Sequence, residues 1–436
     1  MQFLTVVSFV AAAVLLLLEF MKQRPVTVLS PEKPVWFAPD RKSALIWAVA
    51  AAVGTRLAII ALAYLALNVV NAVGPEETKK LLVHYGFNQP FPALESLFSR
   101  WDAPHYLDIA RYGYTSDLTV NGGEQHWFIV FYPLLPALTA LLKPVFGTPF
   151  NAATFVSWVC LAGACWWIYR LAILDHDSAE ARRAVKFLLI FPAAVFLGAP
   201  YTESLFLLLT AVCLYALRKS RWWLAGLMGF GAALTRNLGL LLVVPFAVEA
   251  ADSLGLFSSA QKLLTKEFWL GFLKRGAWML LIPLGAYVYL LINQIAYGDP
   301  FAFLQIQADH WGQKMQAPWL TVLSNWNQLT GDREGDIKLF LWGPQLASMV
   351  AMLALLPFLM RRLRPAHASY LLVYAIVALT PAWLLSYSRY MMGCVPLFLG
   401  LASVTRKKWQ DIVLTIVFVA LMLFLGAGYL MWKDVY

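Results

Sequence analysis

Long apolar runs, each closed off by Lys and Arg, restrict this chain more than any other feature. Residues 44–73, 151–174, 278–297, 339–360 and 412–431 approach or exceed the ~20 apolar residues that cross a bilayer. Only 13% of residues are charged and 61% are hydrophobic, whereas a soluble domain carries about 25% charged residues. The sequence therefore predicts an all-α polytopic membrane protein.

The net charge of +10 does not point to nucleic acid, and no nucleic-acid partner is expected. Its Lys and Arg residues concentrate in loops such as "MKQR", "EARRAVK", "RKSRW", "RRLR" and "TRKK", as the positive-inside bias requires of cytoplasmic loops. Assigning those loops to the cytoplasm gives about twelve crossings. Residues 3–20 read as a retained helix, because basic residues follow the run (Lys22, Arg24, Lys33) and no A-x-A-like exit ends it. Residues 1–43 are thus expected to be an extra N-terminal transmembrane helix with its cytoplasmic linker, ahead of a membrane module over 44–436. Residues 74–148 form a long extracytoplasmic segment and 298–336 a second one. Residues 128–147 are long enough to cross, but a crossing would put Arg218, Lys219 and Arg221 outside. A helix lying in the outer interface, or dipping into it, is expected instead. Cys160, Cys165, Cys213 and Cys394 lie in or beside apolar segments with no CxxC, so they read as small buried hydrophobes.

One polar patch interrupts this pattern: "SRWDAPHYLDIARYGY", residues 99–114. Asp102 is a good helix N-cap, Pro104 fits a first turn and Gly113 is a good stop. His105, Asp108 and Tyr112 share one side of the helix, with Asp102 just above His105. Leu107, Ala110 and Tyr114 lie on another, so an amphipathic helix flat on the outer leaflet is expected. A cap explains Asp102 alone. It does not explain why Arg100, Trp101, His105 and Asp108 gather beside a membrane, where ionisable groups are functional candidates.

The patch resembles the signature of the PIG-V family of mannosyltransferases, a pattern close to W-D-x-x-H-Y-x-x-I-A-x-x-G-Y. Further blocks follow in the family's order: "FYPLLP" (131–136), "FPAAVFLGAPYTESLFLLL" (191–209), "LTRNLGLLL" (234–242) and "SYSRYMMGCVPLF" (386–398). The chain departs from the pattern in its extra first helix and in the turn "APYTES". The resemblance implies a GT-C-type transmembrane fold with interfacial helices in the first large external loop. It also implies an integral-membrane enzyme that moves a sugar, mannose in this family, from a polyprenyl-phosphate donor on the extracytoplasmic side. The acceptor would be a hydroxyl of a glycolipid or glycan.

Such a donor asks for cations, one base and a lipid groove. The phosphate leaves readily, so the carboxylate pair of most glycoside hydrolases is not needed. Asp102 is expected to be the general base. His105 is expected to bind the donor phosphate or to orient the base, and Arg236 and Arg389 are expected at the donor phosphate, because guanidinium grips phosphate as a fork. Arg100, Trp101, Asp108, Tyr201, Glu203 and Tyr390 are expected around the sugar or behind these groups. Glu203 also reads as a first-turn carboxylate after a Thr202 cap, favoured by the helix dipole. In the second loop, Gln307, His310 and Trp311 suit an acceptor glycan. No cofactor and no metal are expected. The competing reading is a transporter or flippase of a lipid-linked sugar. A transporter would place its charges near mid-membrane on broken helices, whereas these residues fall at outer turns.

Overall fold

The computed structural model describes residues 41–84, 86–116, 125–431 and 433–435. The expected N-terminal helix over residues 3–20 lies outside the described residues. Within them the chain is all-α, apart from an isolated bridge between Met315 and Pro381. Five helices are long and apolar enough to cross a membrane: Lys42–Val73, Pro149–Ala172, Lys266–Tyr297, Gly335–Met360 and Lys408–Leu430. The protein is an integral membrane protein.

The elements used below are α1 (Arg41–Val73), α2 (Glu76–His84), α3 (Leu94–Phe98), α4 (Ala103–Tyr112), α5 (Leu134–Phe146) and α6 (Pro149–Ala172). Next come α7 (Ser178–Leu189), α8 (Glu203–Arg218), α9 (Trp222–Ala233), α10 (Val243–Asp252), α11 (Lys266–Gly276) and α12 (Leu281–Tyr297). The rest are α13 (Ala302–Trp311), α14 (Pro318–Thr330), α15 (Gly343–Met360), α16 (Pro365–Val377), α17 (Tyr387–Met392), α18 (Val395–Val404) and α19 (Lys408–Leu430).

Several apolar segments read as crossings prove to be shorter helices. At 1.5 Å per residue the 12-residue α9 and the 13-residue α16 extend only about 18–20 Å, less than the ~30 Å hydrocarbon core. Their neighbours make this possible: α9 packs on α8 and α12, and α16 on α10 and α15. The chain after α9 is buried at Thr235 and Leu238, and that after α16 at Ala378, Leu379 and Thr380.

The same shortness resolves residues 128–147. Helix α5 has 13 residues, about 20 Å, too short to cross alone. It folds back along the first half of α6. Phe146 stacks on Phe155 at 4.4 Å, and Leu135 packs with Val156, Cys160 and Leu205. The Leu134 amide donates to the Leu234 carbonyl at 3.1 Å. The helix thus ties its N-terminus to the end of α9, two residues before Arg236.

Ion pairs separate the two ends of the molecule. At one end Arg218 pairs with Asp175, while Arg364 bonds to Asp252 at 3.2 Å and Glu249 at 3.5 Å. These residues close α6, α8 and α10 and open α16, the ends where the basic loops lie. The opposite ends of α8, α9 and α18 surround Asp102, Glu203, Arg236 and Arg389.

Candidate functional site

Helix α4 starts and stops where the sequence indicates. Pro104 sits in its first turn, and Gly113, at φ +75°, donates its amide to Ile109 at 2.8 Å. It does not lie loose on a surface. Ala103 and Leu107 belong to the main core, and α4 packs on α5 and α6.

The expected capping role of Asp102 is not what its side chain does. The residue precedes the helix with helical φ and ψ, and its carboxylate makes no capping bond. One oxygen instead accepts from Nη2 of Arg389 at 2.8 Å. The energies favour that choice. A cap is worth about 1 kcal/mol, whereas a buried cation without its partner costs about 3–5 kcal/mol. Arg389 is 7% exposed and Asp102 27%, so the acid is the accessible member of the pair. Just before it, Trp101 adopts φ +54°, a left-handed conformation that costs a non-glycine residue about 1–3 kcal/mol. Packing of its ring against the main core holds it there.

Arg389 also faces Glu203, with Nε 3.5 Å from Oε1, and its guanidinium lies over Phe196 (5.2 Å) and Tyr201 (5.4 Å). Arg236 binds the same oxygen of Glu203 at 2.6 Å and covers Tyr390 at 5.4 Å. Four charges therefore run in sequence: Asp102, Arg389, Glu203, Arg236. Glu203 is 1% exposed and opens α8. Thr202 ahead of it makes no side-chain cap, which corrects the expected capped turn. Burial works against the charge on both arginines, but the carboxylates outweigh it and hold them more firmly protonated than usual. Oε2 of Glu203 and Nη1 of Arg389 are buried with no hydrogen-bond partner among the described residues.

Arg236 reaches this point through a break in the chain. It is extended (φ −157°) between α9 and the 3-10 turn Asn237–Leu242. That turn presses back on α9 at Gly239, where a Cβ would come within 2.4 Å of the Ala232 carbonyl. Only glycine allows the approach, which gives the "RNLG" block a physical reason.

The site is recessed. Ser157 of α6 reaches the Tyr201 carbonyl at 3.5 Å, and Trp158 donates to Gly198 at 3.1 Å. These contacts lie about 12 Å along α6 from its start.

Other expected residues divide into those that join this cluster and those that do not. Tyr201 joins it: its ring underlies Arg389 and its hydroxyl donates to the Arg100 carbonyl at 2.6 Å. Tyr390 lies against Arg236, and its carbonyl accepts from Tyr374 at 2.9 Å. The Arg100 side chain turns away from the cluster, while its carbonyl supports Tyr201 from behind. It is buried, donates Nη1 to the Tyr429 carbonyl and lies over the Phe87 and Tyr429 rings. Asp108 accepts from Arg111 at 3.1 Å. His105 stacks on Phe131 at 4.7 Å, and Trp311 meets the same Phe131 edge-on at 6.3 Å. Helix α13 thus brings the second loop to the signature helix. On it His310 is exposed and Gln307 half-buried. Tyr106, Phe196 and Tyr374 were not singled out from sequence. The first two lie inside the quoted blocks, and Tyr374 has no sequence signal. Burial pushes the Tyr106 phenol up, as do Asp102 and Glu203, against Arg236.

The family model for "Mannosyltransferase (PIG-V)" matches residues 82–302, about half of the chain. The chain belongs to the PIG-V mannosyltransferase family. The match holds Asp102, His105, Tyr201, Glu203 and Arg236; Arg389, which completes the ion chain, lies beyond it. This PIG-V family member is 32% identical over 166 residues to the rat "GPI alpha-1,6-mannosyltransferase 2", covering 36% of this chain and 32% of that one. It is 30% identical over 220 residues to the mouse protein of the same name, covering 48% and 40%. The Yarrowia lipolytica "GPI mannosyltransferase 2" is 35% identical over 79 residues, 18% of this chain and 22% of that one. The chain thus spans less than half the length of these relatives. Among solved structures, the Archaeoglobus fulgidus oligosaccharyltransferase aligns over 87% of this chain and 55% of its own, with a TM-score of 0.39 and 14% identity.

Proposed function

We propose that the protein is an inverting GT-C-type glycosyltransferase. It moves mannose from a polyprenyl-phosphate donor to a hydroxyl of a glycolipid or glycan on the extracytoplasmic side. The observation that carries this reading is the pairing of an accessible carboxylate, Asp102, with a buried arginine, Arg389, that still has an unbonded donor. The relatives, GPI mannosyltransferases by name, support mannose as the sugar and a glycolipid as the acceptor.

In this mechanism the acceptor hydroxyl attacks the anomeric carbon. An oxygen–carbon bond forms, and the bond from that carbon to the phosphate oxygen breaks. The hydroxyl proton passes to Asp102, and the polyprenyl phosphate departs with the bonding electrons. Arg389 and Arg236 hold the phosphate and the charge that grows on it. A phosphate that competes for Arg389 loosens Asp102 from it, so donor binding prepares the base. Glu203 keeps the two arginines together without supplying a proton acceptor to the sugar. Phe131 and Trp311 offer a stacking wall for the acceptor, with Gln307 and His310 beside it. Residues 44–436 make up the catalytic module.

The test is transfer by the purified full chain in detergent. Dolichyl-phosphate-mannose is supplied with a glycosylphosphatidylinositol precursor lipid, and mass spectrometry follows dolichyl phosphate and the mannosylated product. Both are expected to appear without any ion gradient. A flippase moves its lipid and yields neither product, and that result rejects the enzyme reading.

A further inference from the structure

Arg389 sits on a helix too short to hold itself in place. Helix α17 has six residues, and a helix of that length takes its stability from what it packs against. Residues 378–386 lead into it without a helix of their own. Upstream, a bridge to Met315 and a bond from Thr321 to the Pro381 carbonyl at 3.0 Å fix the segment well before α17 begins. Ser386 stands at the N-cap position but its side chain caps nothing. The first amide of α17 and the carbonyl ahead of it therefore need partners from elsewhere.

One side chain supplies both. Gln345, in the first turn of α15, donates Nε2 to the Leu385 carbonyl at 2.6 Å, and its Oε1 accepts from the Tyr387 amide at 2.6 Å. Gln345 is buried, as is Tyr387. A primary amide carries a donor and an acceptor on one carbon. It therefore matches a carbonyl and an N–H two residues apart, and it pins the point where irregular chain becomes helix. An apolar side chain of the same length leaves both backbone groups buried and unpaired. Arg389 follows Tyr387 by two residues. Its 2.8 Å bond to Asp102, its approach to Glu203 and its place over Phe196 all depend on where α17 starts.

We propose that Gln345 is a positioning residue for the transfer. Its amide fixes the start of α17 and so aims the Arg389 guanidinium at Asp102, Glu203 and the donor phosphate. Gln345 itself touches neither substrate. The inference rests on the reading of Arg389 as a donor-phosphate residue.

A double-mutant cycle on donor affinity tests this, using the full chain in detergent and a non-transferable mannosyl phosphonate lipid. Gln345→Met keeps the length and removes both bonds, and it is expected to weaken binding about fivefold, within the range for coupled neighbours. In the Arg389→Ala background the same change is expected to add less than about twofold, because the group it aims is gone. Gln345→Glu, when protonated, offers the same donor and acceptor, and at pH 5.5 it is expected to bind within about twofold of wild type. A tie that only stabilises the helices adds its full loss in both backgrounds, and that result overturns the proposal. So does Gln345→Glu binding as weakly as Gln345→Met at pH 5.5. Unchanged affinity in Gln345→Met, with Arg389→Ala weakened, removes the positioning role and leaves the donor site standing. Unchanged affinity in Arg389→Ala overturns the donor-site reading and this inference with it.

Discussion

Arg389 donates to Asp102 at 2.8 Å and faces Glu203 at 3.5 Å, so one buried guanidinium joins the signature helix to the start of α8. Asp102 and Arg389 lie far apart in sequence, and nothing local brings them together. The pair forms because α17 and α4 are packed at the same end of the helix assembly.

Substituting Arg389 separates charge from shape. Arg389→Ala removes the fork and is expected to weaken donor binding by at least tenfold. Arg389→Lys keeps the charge without the fork and is expected to recover part of that loss. Titration with a non-transferable mannosyl phosphonate lipid reads both affinities. Equal affinity in wild type and Arg389→Ala removes the arginine from the donor site.

Glu203 is buried between two arginines. Glu203→Gln leaves both guanidinium groups short of a countercharge, and removing one partner of such a buried pair costs about 3–5 kcal/mol. A lower Tm in detergent is expected. A donor lipid is expected to restore part of it, because its phosphate replaces the missing negative charge. A variant as stable as wild type contradicts this account of Glu203.

Gly239 lets the turn behind Arg236 touch α9. In Gly239→Ala the new Cβ meets backbone at 2.4 Å, and overpacking of this kind typically costs about 1–3 kcal/mol. The variant is expected to lose stability and donor affinity together, because Arg236 moves with its turn. Unchanged values for both show that the turn has room.

The aromatic wall is read by acceptor kinetics. Trp311→Ala is expected to raise the acceptor KM several-fold while leaving donor affinity alone, and Phe131→Ala to do the same with some loss of stability. A rise in the donor KM alone places these rings on the other substrate.

Much of this was legible in the sequence because membrane proteins separate charge by end. Arg218 and Arg364 sit in basic loops at one end, whereas Arg236 and Arg389 are lone arginines at turns between apolar segments. Their convergence with Asp102 and Glu203 follows from that placement. Side-chain partners were less legible. Asp102 has the local signature of a cap, yet a buried arginine outbids a surface amide for its carboxylate. Arg100 sits two residues from Asp102 but points to Tyr429 of α19, because the left-handed Trp101 between them turns the chain. Hydropathy also marks α9 and α16 as long apolar segments, whereas these helices extend only about 18–20 Å and are completed by irregular backbone.

The base assignment is tested most directly by Asp102→Asn, which keeps the side chain's shape and removes its charge. Transfer and donor affinity are measured on the same purified sample. Transfer is expected to fall by ~10²–10⁴-fold, the usual scale for a lost general base. Donor affinity is expected to stay the same or to tighten, because an amide no longer competes with phosphate for Arg389. Near-normal transfer by Asp102→Asn contradicts the account.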